Sequence, residues 1–150
     1  MEQYPHLNEL LKRSMTDNSE RQALTDLDGV SFSYKDVSRK IEKLHILFKH
    51  SGVELGDKVA LCGRNSAQWA VAFFGILTYG AVAVPVLHEF KPDNVHHIIN
   101  HSEAKLLFVE TAVWENLDPD SMTGLSGALR MSDFSLLMSR SKALDEARLK

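Results

Sequence analysis

Between Gly56 and Pro85 the chain reads GDKVALCGRNSAQWAVAFFGILTYGAVAVP. This is an apolar strand, a short turn with cap residues, a helix apolar on nearly every side, and a second apolar strand. That order makes one βαβ crossover, the unit from which parallel sheets are wound. From Ser66 to Leu87 the run carries no charged residue, a length that would also suit a membrane span. Gly80 and Pro85 interrupt it, and Gln68, Thr78 and Tyr79 set polar groups along it. A buried helix followed at once by a strand buried on both faces gives the same unbroken hydrophobicity, and that is the expectation here.

The pattern continues on both sides. Pro5 is placed to open a first helix with Leu7, Leu10, Leu11 and Ser14 on one face. Gln22–Ser33 predicts two short strands around Asp28–Gly29, a dipeptide that accepts the positive φ angles of a tight hairpin turn. Ser33-Tyr34-Lys35-Asp36 has the spacing of a capping box. Behind it Val37, Ile41, Leu44 and Phe48 mark an amphipathic helix, which Gly52 stops. Lys58–Cys62 reads as a strand, and Asn65 or Ser66 as the cap of the next helix. That helix is expected to bury Trp69, Phe73, Phe74, Ile76 and Leu77, with Phe73→Ala costing about 3–5 kcal/mol. Ala81–Val86 is the next strand. Pro92 opens a shorter helix with Val95, Ile98, Ile99 and Ser102 inward, Lys105–Val109 is a third strand, and Thr111 caps a short helix to about Asn116. After the turn-rich Asn116–Gly127 come a short strand near Leu129–Met131, a turn of helix in Asp133–Met138 and a helix-prone Ala143–Lys150. The predicted class is α/β: a mostly parallel sheet with flanking helices, plus an N-terminal helix and β-hairpin. Residues 1–150 are read as a single domain, with about 132–150 a truncated, mobile tail.

Bulk properties exclude several functions. With 44% hydrophobic and 25% charged residues the chain is not a disordered one. A net charge of −3 and few, scattered aromatics give no case for nucleic acid. Cys62 is the only cysteine, which rules out an internal disulfide or a cysteine metal cage and suits a reducing cytosol. The first residues lack the apolar core of a signal peptide, so the expected location is cytoplasmic. No GxxxxGK[ST], GxGxxG or GxSxG occurs. The strand ending in Cys62-Gly63-Arg64 lacks the carboxylates that a Mg²⁺-holding phosphoacceptor site needs.

Four places carry potential chemistry. Cys62–Ser66 lies at the carboxyl end of a strand and the start of a helix, where wound sheets place ligands. Free N–H groups and Arg64 can receive an anion there, or Gly63 makes the turn, Asn65 or Ser66 caps, and Arg64 is solvated. His97 and His101 are four apart on a helix, a spacing that puts two imidazoles on one metal. His96 points elsewhere, and the pair sits off the apolar stripe without a third ligand, so a solvated face is expected. His88 and Glu89 follow a strand at the ligand-facing edge. Cys62 reads as a small buried apolar residue. No catalytic, cofactor-binding or metal-binding residue is assigned.

Gly52-Val53-Glu54-Leu55-Gly56-Asp57-Lys58-Val59-Ala60 resembles the G-V-x-x-G-D-x-V-A segment of the adenylate-forming superfamily of acyl-CoA synthetases, luciferases and peptide-synthetase adenylation domains. The likeness continues through Asn65-Ser66, Trp69, Gly75-Ile76-Leu77, Gly80–Pro85 and Ser102–Val109, and upstream through Ala23-Leu24 and Phe32-Ser33-Tyr34. Within the superfamily Leu87–Pro92 and Asp133–Leu137 look most like long-chain fatty acid–CoA ligases. The resemblance implies the N-terminal part of an enzyme that activates a fatty acid with ATP and Mg²⁺ to an acyl-adenylate and passes it to coenzyme A. The family's phosphate loop, aromatic–Gly–Thr–Glu segment, ribose-binding Asp and catalytic Lys have no counterpart here, so the segment alone is expected inactive and free of cofactors. It further implies a fatty acid substrate, a remainder of its own chain as partner and no transmembrane segment, and leaves peripheral membrane contact and a homodimer open. The alternatives are a stand-alone α/β interaction module and another adenylate-forming enzyme, either an adenylation domain or a short-chain acyl-CoA synthetase.

Overall fold

The computed structural model of the chain describes residues 6–148. Helix α1 (Leu7–Asp17) precedes a hairpin of β1 (Gln22–Thr25) and β2 (Ser31–Ser33), and α2 (Tyr34–His50) follows. The wound part comprises β3 (Lys58–Cys62), α3 (Ala67–Tyr79), β4 (Val82–Val86), α4 (Pro92–Ser102), β5 (Leu106–Val109), α5 (Thr111–Trp114) and β6 (Gly127–Arg130). Strand β7 (Leu136–Ser139) and α6 (Lys142–Arg148) complete it. The sheet order is β4-β3-β5-β6-β7; the first four strands are parallel and β7 is antiparallel to β6. The predicted α/β architecture is the observed one.

Alternation along the buried strands divides the core in two. Val59, Leu61, Leu106, Phe108 and Leu129 face α2 and α3. Ala60, Cys62, Leu107, Val109 and Ala128 face α4 and the loop carrying Met122 and Leu125. The uncharged stretch 66–87 is a helix buried along one side and an edge strand, β4, which is partly exposed at Val82 and Pro85 rather than buried on both faces as expected. Among the described residues no helix is long and apolar enough to cross a membrane.

Several local expectations hold. Ser33 Oγ accepts from Asp36 N–H (3.1 Å) and Asp36 Oδ2 from Ser33 N–H (3.0 Å), a complete capping box. Val37, Ile41, Leu44 and Phe48 are all buried. Gly52 takes φ 84°, and Val53 N–H closes the α2 terminus on Phe48 O at 2.9 Å. Strand β4 forms the edge of the sheet. Val82 N–H donates toward β3, to Asp57 O, so alternation turns Pro85 outward, where a missing N–H breaks no ladder bond.

Other expectations are corrected. Pro5 lies outside the described residues, and of the four residues expected on one face of α1, Leu7 and Leu10 are exposed while Leu11 and Ser14 are half-buried. The hairpin turn is a five-residue loop closed by Asp26 N–H on Val30 O; only Gly29 has positive φ. Thr111 is the first residue of α5 and Glu110 stands at its cap position. Asp133–Met138 is no turn of helix, because Leu136–Ser139 finds a register against β6 and Phe134 turns the chain at φ 59°. Helix α6 then packs Leu144 and Ala147 inward.

Helix α3 buries Ala67, Val71, Ala72, Gly75 and Ile76 completely and leaves Trp69, Phe73, Phe74 and Leu77 half-buried. A helix apolar all round has no stripe to orient it, and close approach to α2 selects the small side. A Cβ on Gly75 would stand 2.8 Å from Leu44 Cδ1. Trp69 and Phe73 instead stack on each other, 5.2 Å between ring centroids.

Candidate functional site

The winding reverses at β3. The chain leaves β3 through α3 on one face to reach β4, then returns through α4 on the other face to reach β5 on the far side. Loops after neighbouring strands thus depart to opposite faces and leave a crevice beyond their carboxyl ends, the usual ligand position in open α/β sheets. Here that crevice is a hollow of about 450 Å³ lined by Arg64, His88, Phe90, Pro92, Glu110 and Val113, among others.

Each wall follows from its strand. Glu110 leaves β5, donates its N–H to Cys62 O (3.1 Å), and accepts the Arg64 N–H on Oε1 at 2.7 Å. Gly63 is needed for that approach, since a Cβ there would meet Glu110 Cγ at 2.9 Å. The close contact explains this glycine, whose φ is not positive. Arg64 is exposed, and its guanidinium forms no ion pair among the described residues. His88 is half-buried on the β4 side, 3.9 Å from the exposed carboxylate of Glu89. Beneath them Cys62 is buried, and burial together with the Glu110 charge pushes its thiol up to about 11, so it is no thiolate nucleophile. One guanidinium, one imidazole and one carboxylate around a half-apolar hollow can bind and orient a ligand. With the thiol protonated, no activated nucleophile faces it.

The first turn of α3 does not complete an anion cradle. Ser66 is its cap, with Oγ accepting Trp69 N–H at 3.0 Å, and the Asp26 carboxylate reaches over from the hairpin loop to accept Ala67 N–H at 2.7 Å. The protein supplies its own anion to the positive end of the helix. Asp26 carries no signal in the sequence beyond that of a turn residue. Glu110 was findable, because it directly follows a predicted strand at the same edge as Arg64 and His88.

His97 and His101 project from α4 into solvent with rings 5.8 Å apart and inclined by 19°. The buried histidine is His96, whose Nε2 accepts Asp118 N–H at 2.9 Å on a face shared with Val95 and Ile99. Ile98 and Ser102, expected inward, are half-buried. Among the described residues no group of three or more metal-ligating side chains occurs.

A wound parallel sheet with a switch-point crevice defines a ligand-binding α/β class. The model of the family described as AMP-binding enzyme matches residues 11–149, and the chain belongs to that family. The chain is 31% identical over 112 residues to the putative acyl–CoA ligase YdaB of Bacillus subtilis, covering 75% of this chain and 22% of that protein. It is 38% identical over 60 residues to the long-chain-fatty-acid–CoA ligase FadD15 of Mycobacterium bovis, covering 40% of this chain and 10% of FadD15. The crystal structure of the anthranilate CoA ligase AuaEII in complex with anthranoyl-AMP superposes with a TM-score of 0.81 at 22% identity, over 100% of this chain and 28% of that one. The fold is thus that of the N-terminal region of adenylate-forming enzymes, and the chain spans a minor part of the length of these relatives.

Proposed function

We propose that this chain is the N-terminal part of an ATP-dependent long-chain fatty acid–CoA ligase, a single scaffold domain that holds no cofactor by itself. The carrying observation is that Gly52–Val109, the stretch bearing the family's segments, folds as one wound sheet inside a family match of residues 11–149. The likeness of Leu87–Pro92 and Asp133–Leu137 to long-chain ligases, and the 38% identity to FadD15, support the fatty acid as substrate. In that reaction a carboxylate oxygen would attack the α-phosphorus of ATP and displace pyrophosphate, Mg²⁺ would offset the phosphate charge, and the coenzyme A thiol would then take the acyl group from the adenylate with release of AMP. Charge stabilisation at phosphorus is the catalytic requirement, and no Gly-rich phosphate loop at this crevice meets it. This piece contributes the carboxyl edge with Arg64, His88 and Glu110 as one wall of a ligand site. The enzyme works in the cytoplasm, with peripheral membrane contact and a homodimer both compatible with the fold.

A second reading, adenylation of an aromatic or amino acid, is favoured by the superposition on AuaEII. ATP–pyrophosphate exchange by the protein encoded by the gene's whole reading frame separates them. Exchange with palmitate well above that with anthranilate or amino acids supports the long-chain reading. Exchange driven chiefly by anthranilate or an amino acid overturns it.

A further inference from the structure

We infer that His97 and His101 form an exchangeable two-imidazole site for borderline divalent transition ions such as Zn²⁺, Ni²⁺ or Cu²⁺. The two residues lie one turn apart on the eleven-residue helix α4, both rings are exposed, and their centroids stand 5.8 Å apart at a 19° inclination. Two nitrogens that each reach about 2.0–2.1 Å to one metal must converge from roughly this separation, which solvent-facing rings do by turning about χ2 without moving backbone. Imidazole is the preferred ligand of these ions, whereas Mg²⁺ prefers oxygen.

The surroundings favour this pair over the other histidines. His96, on the same helix, is committed as the acceptor of Asp118 N–H and points into the body. His45 is held between Gly75 O (3.1 Å) and Thr78 Oγ1 (2.9 Å). His101 occupies the last turn of α4, where the negative end of the helix dipole favours a cation. Asp93 lies on the same stripe, one turn before His97, with its side chain fully exposed. Two turns separate it from His101, about 12 Å along the axis, so one ion cannot take all three. Water fills the remaining coordination positions, and the ion exchanges freely. The pair lies on α4 and not at the switch-point crevice, so the site stands independently of the ligase reading.

Calorimetric titration of the tag-free 150-residue chain with ZnCl₂ and with NiCl₂ tests the site, with MgCl₂ as control. Saturable one-to-one binding of Zn²⁺ and Ni²⁺ and none of Mg²⁺ is expected. His97→Ala and His101→Ala should each weaken binding at least about tenfold, because losing either ligand abolishes the chelate. His50→Ala and Asp93→Asn should leave it within about twofold. Circular dichroism of the variants keeps helix loss apart from ligand loss, both substituted positions being exposed. Wild-type chain that takes up no zinc, single variants that bind as tightly as wild type, or an equal fall in His50→Ala would each overturn the site.

Discussion

Asp57→Asn is expected to loosen the sheet at its amino edge, and the structure gives the size of the effect. Asp57 Oδ2 receives Lys105 Nζ at 2.8 Å and Glu54 N–H at 2.7 Å, tying the loop before β3 to the start of β5. Lys105 N–H also donates to Lys58 O, so the pair clamps the point where the two strands begin to run side by side. A hydrogen bond to a charged group is worth roughly 1.5–3 kcal/mol. The Lys105 side chain is 41% exposed, however, so solvent screening reduces the share that shows. Asparagine keeps the Glu54 bond and loses the charge, leaving a net cost of about 1–2 kcal/mol. For a chain of this length that lowers Tm by about 3–6 °C. Burial acts against the Asp57 carboxylate, but the Lys105 ammonium and the Glu54 N–H outweigh it and hold its pKa below the ordinary value. The stabilisation is therefore complete above the unfolded-state value of about 4 and is lost as pH falls through the lower folded value. Thermal melts of wild type, Asp57→Asn, Lys105→Met and the double variant at pH 7 measure the coupling directly. Additive losses, or a Tm unchanged in Asp57→Asn, would refute the clamp.

Phe73→Ala should cost about 1.5–2.5 kcal/mol, half the figure for a fully buried phenylalanine, whereas Ile76→Ala should cost about 2–5 kcal/mol. Urea unfolding that ranked Phe73 above Ile76 would contradict the observed rotation of α3. Cys62 should react with iodoacetamide at pH 7.5 about 100-fold or more slowly in the native than in the unfolded chain, since its thiol titrates at about 11 and is buried; equal rates would remove it from the core. Asp26→Ala and Ser66→Ala should each lower stability by about 1 kcal/mol through the first turn of α3. A neutral Asp26→Ala in the same urea series would show that the hairpin loop is not anchored on the helix.

The wound centre was legible because several signals agree there. Lys58–Cys62 is uniformly apolar after its first residue, Ser66 and Gly80 bracket the helix, and Pro92 opens the next one. Each choice is local and needs no knowledge of a partner. The rotation of α3 was not legible, since a helix without a polar face has no period to read and only the approach of Leu44 to Gly75 settles it. Strand β7 was missed because Leu136–Met138 is too short an apolar run to separate strand from helix, and its pairing with β6 is decided by register. At the crevice Arg64 and His88 were found from their place after predicted strands. Glu110 and Asp26 act through contacts 46 and 41 residues distant in sequence. The position of Glu110 after a predicted strand is readable, but its pairing with Arg64 N–H and that of Asp26 with Ala67 N–H leave no mark on a single chain.

The proposed division of labour between this segment and a larger enzyme is tested most directly by ATP–pyrophosphate exchange on the purified 150-residue chain, supplied with Mg²⁺ and palmitate. No exchange above the protein-free rate is predicted. Sustained acyl-adenylate formation by the segment alone would contradict it.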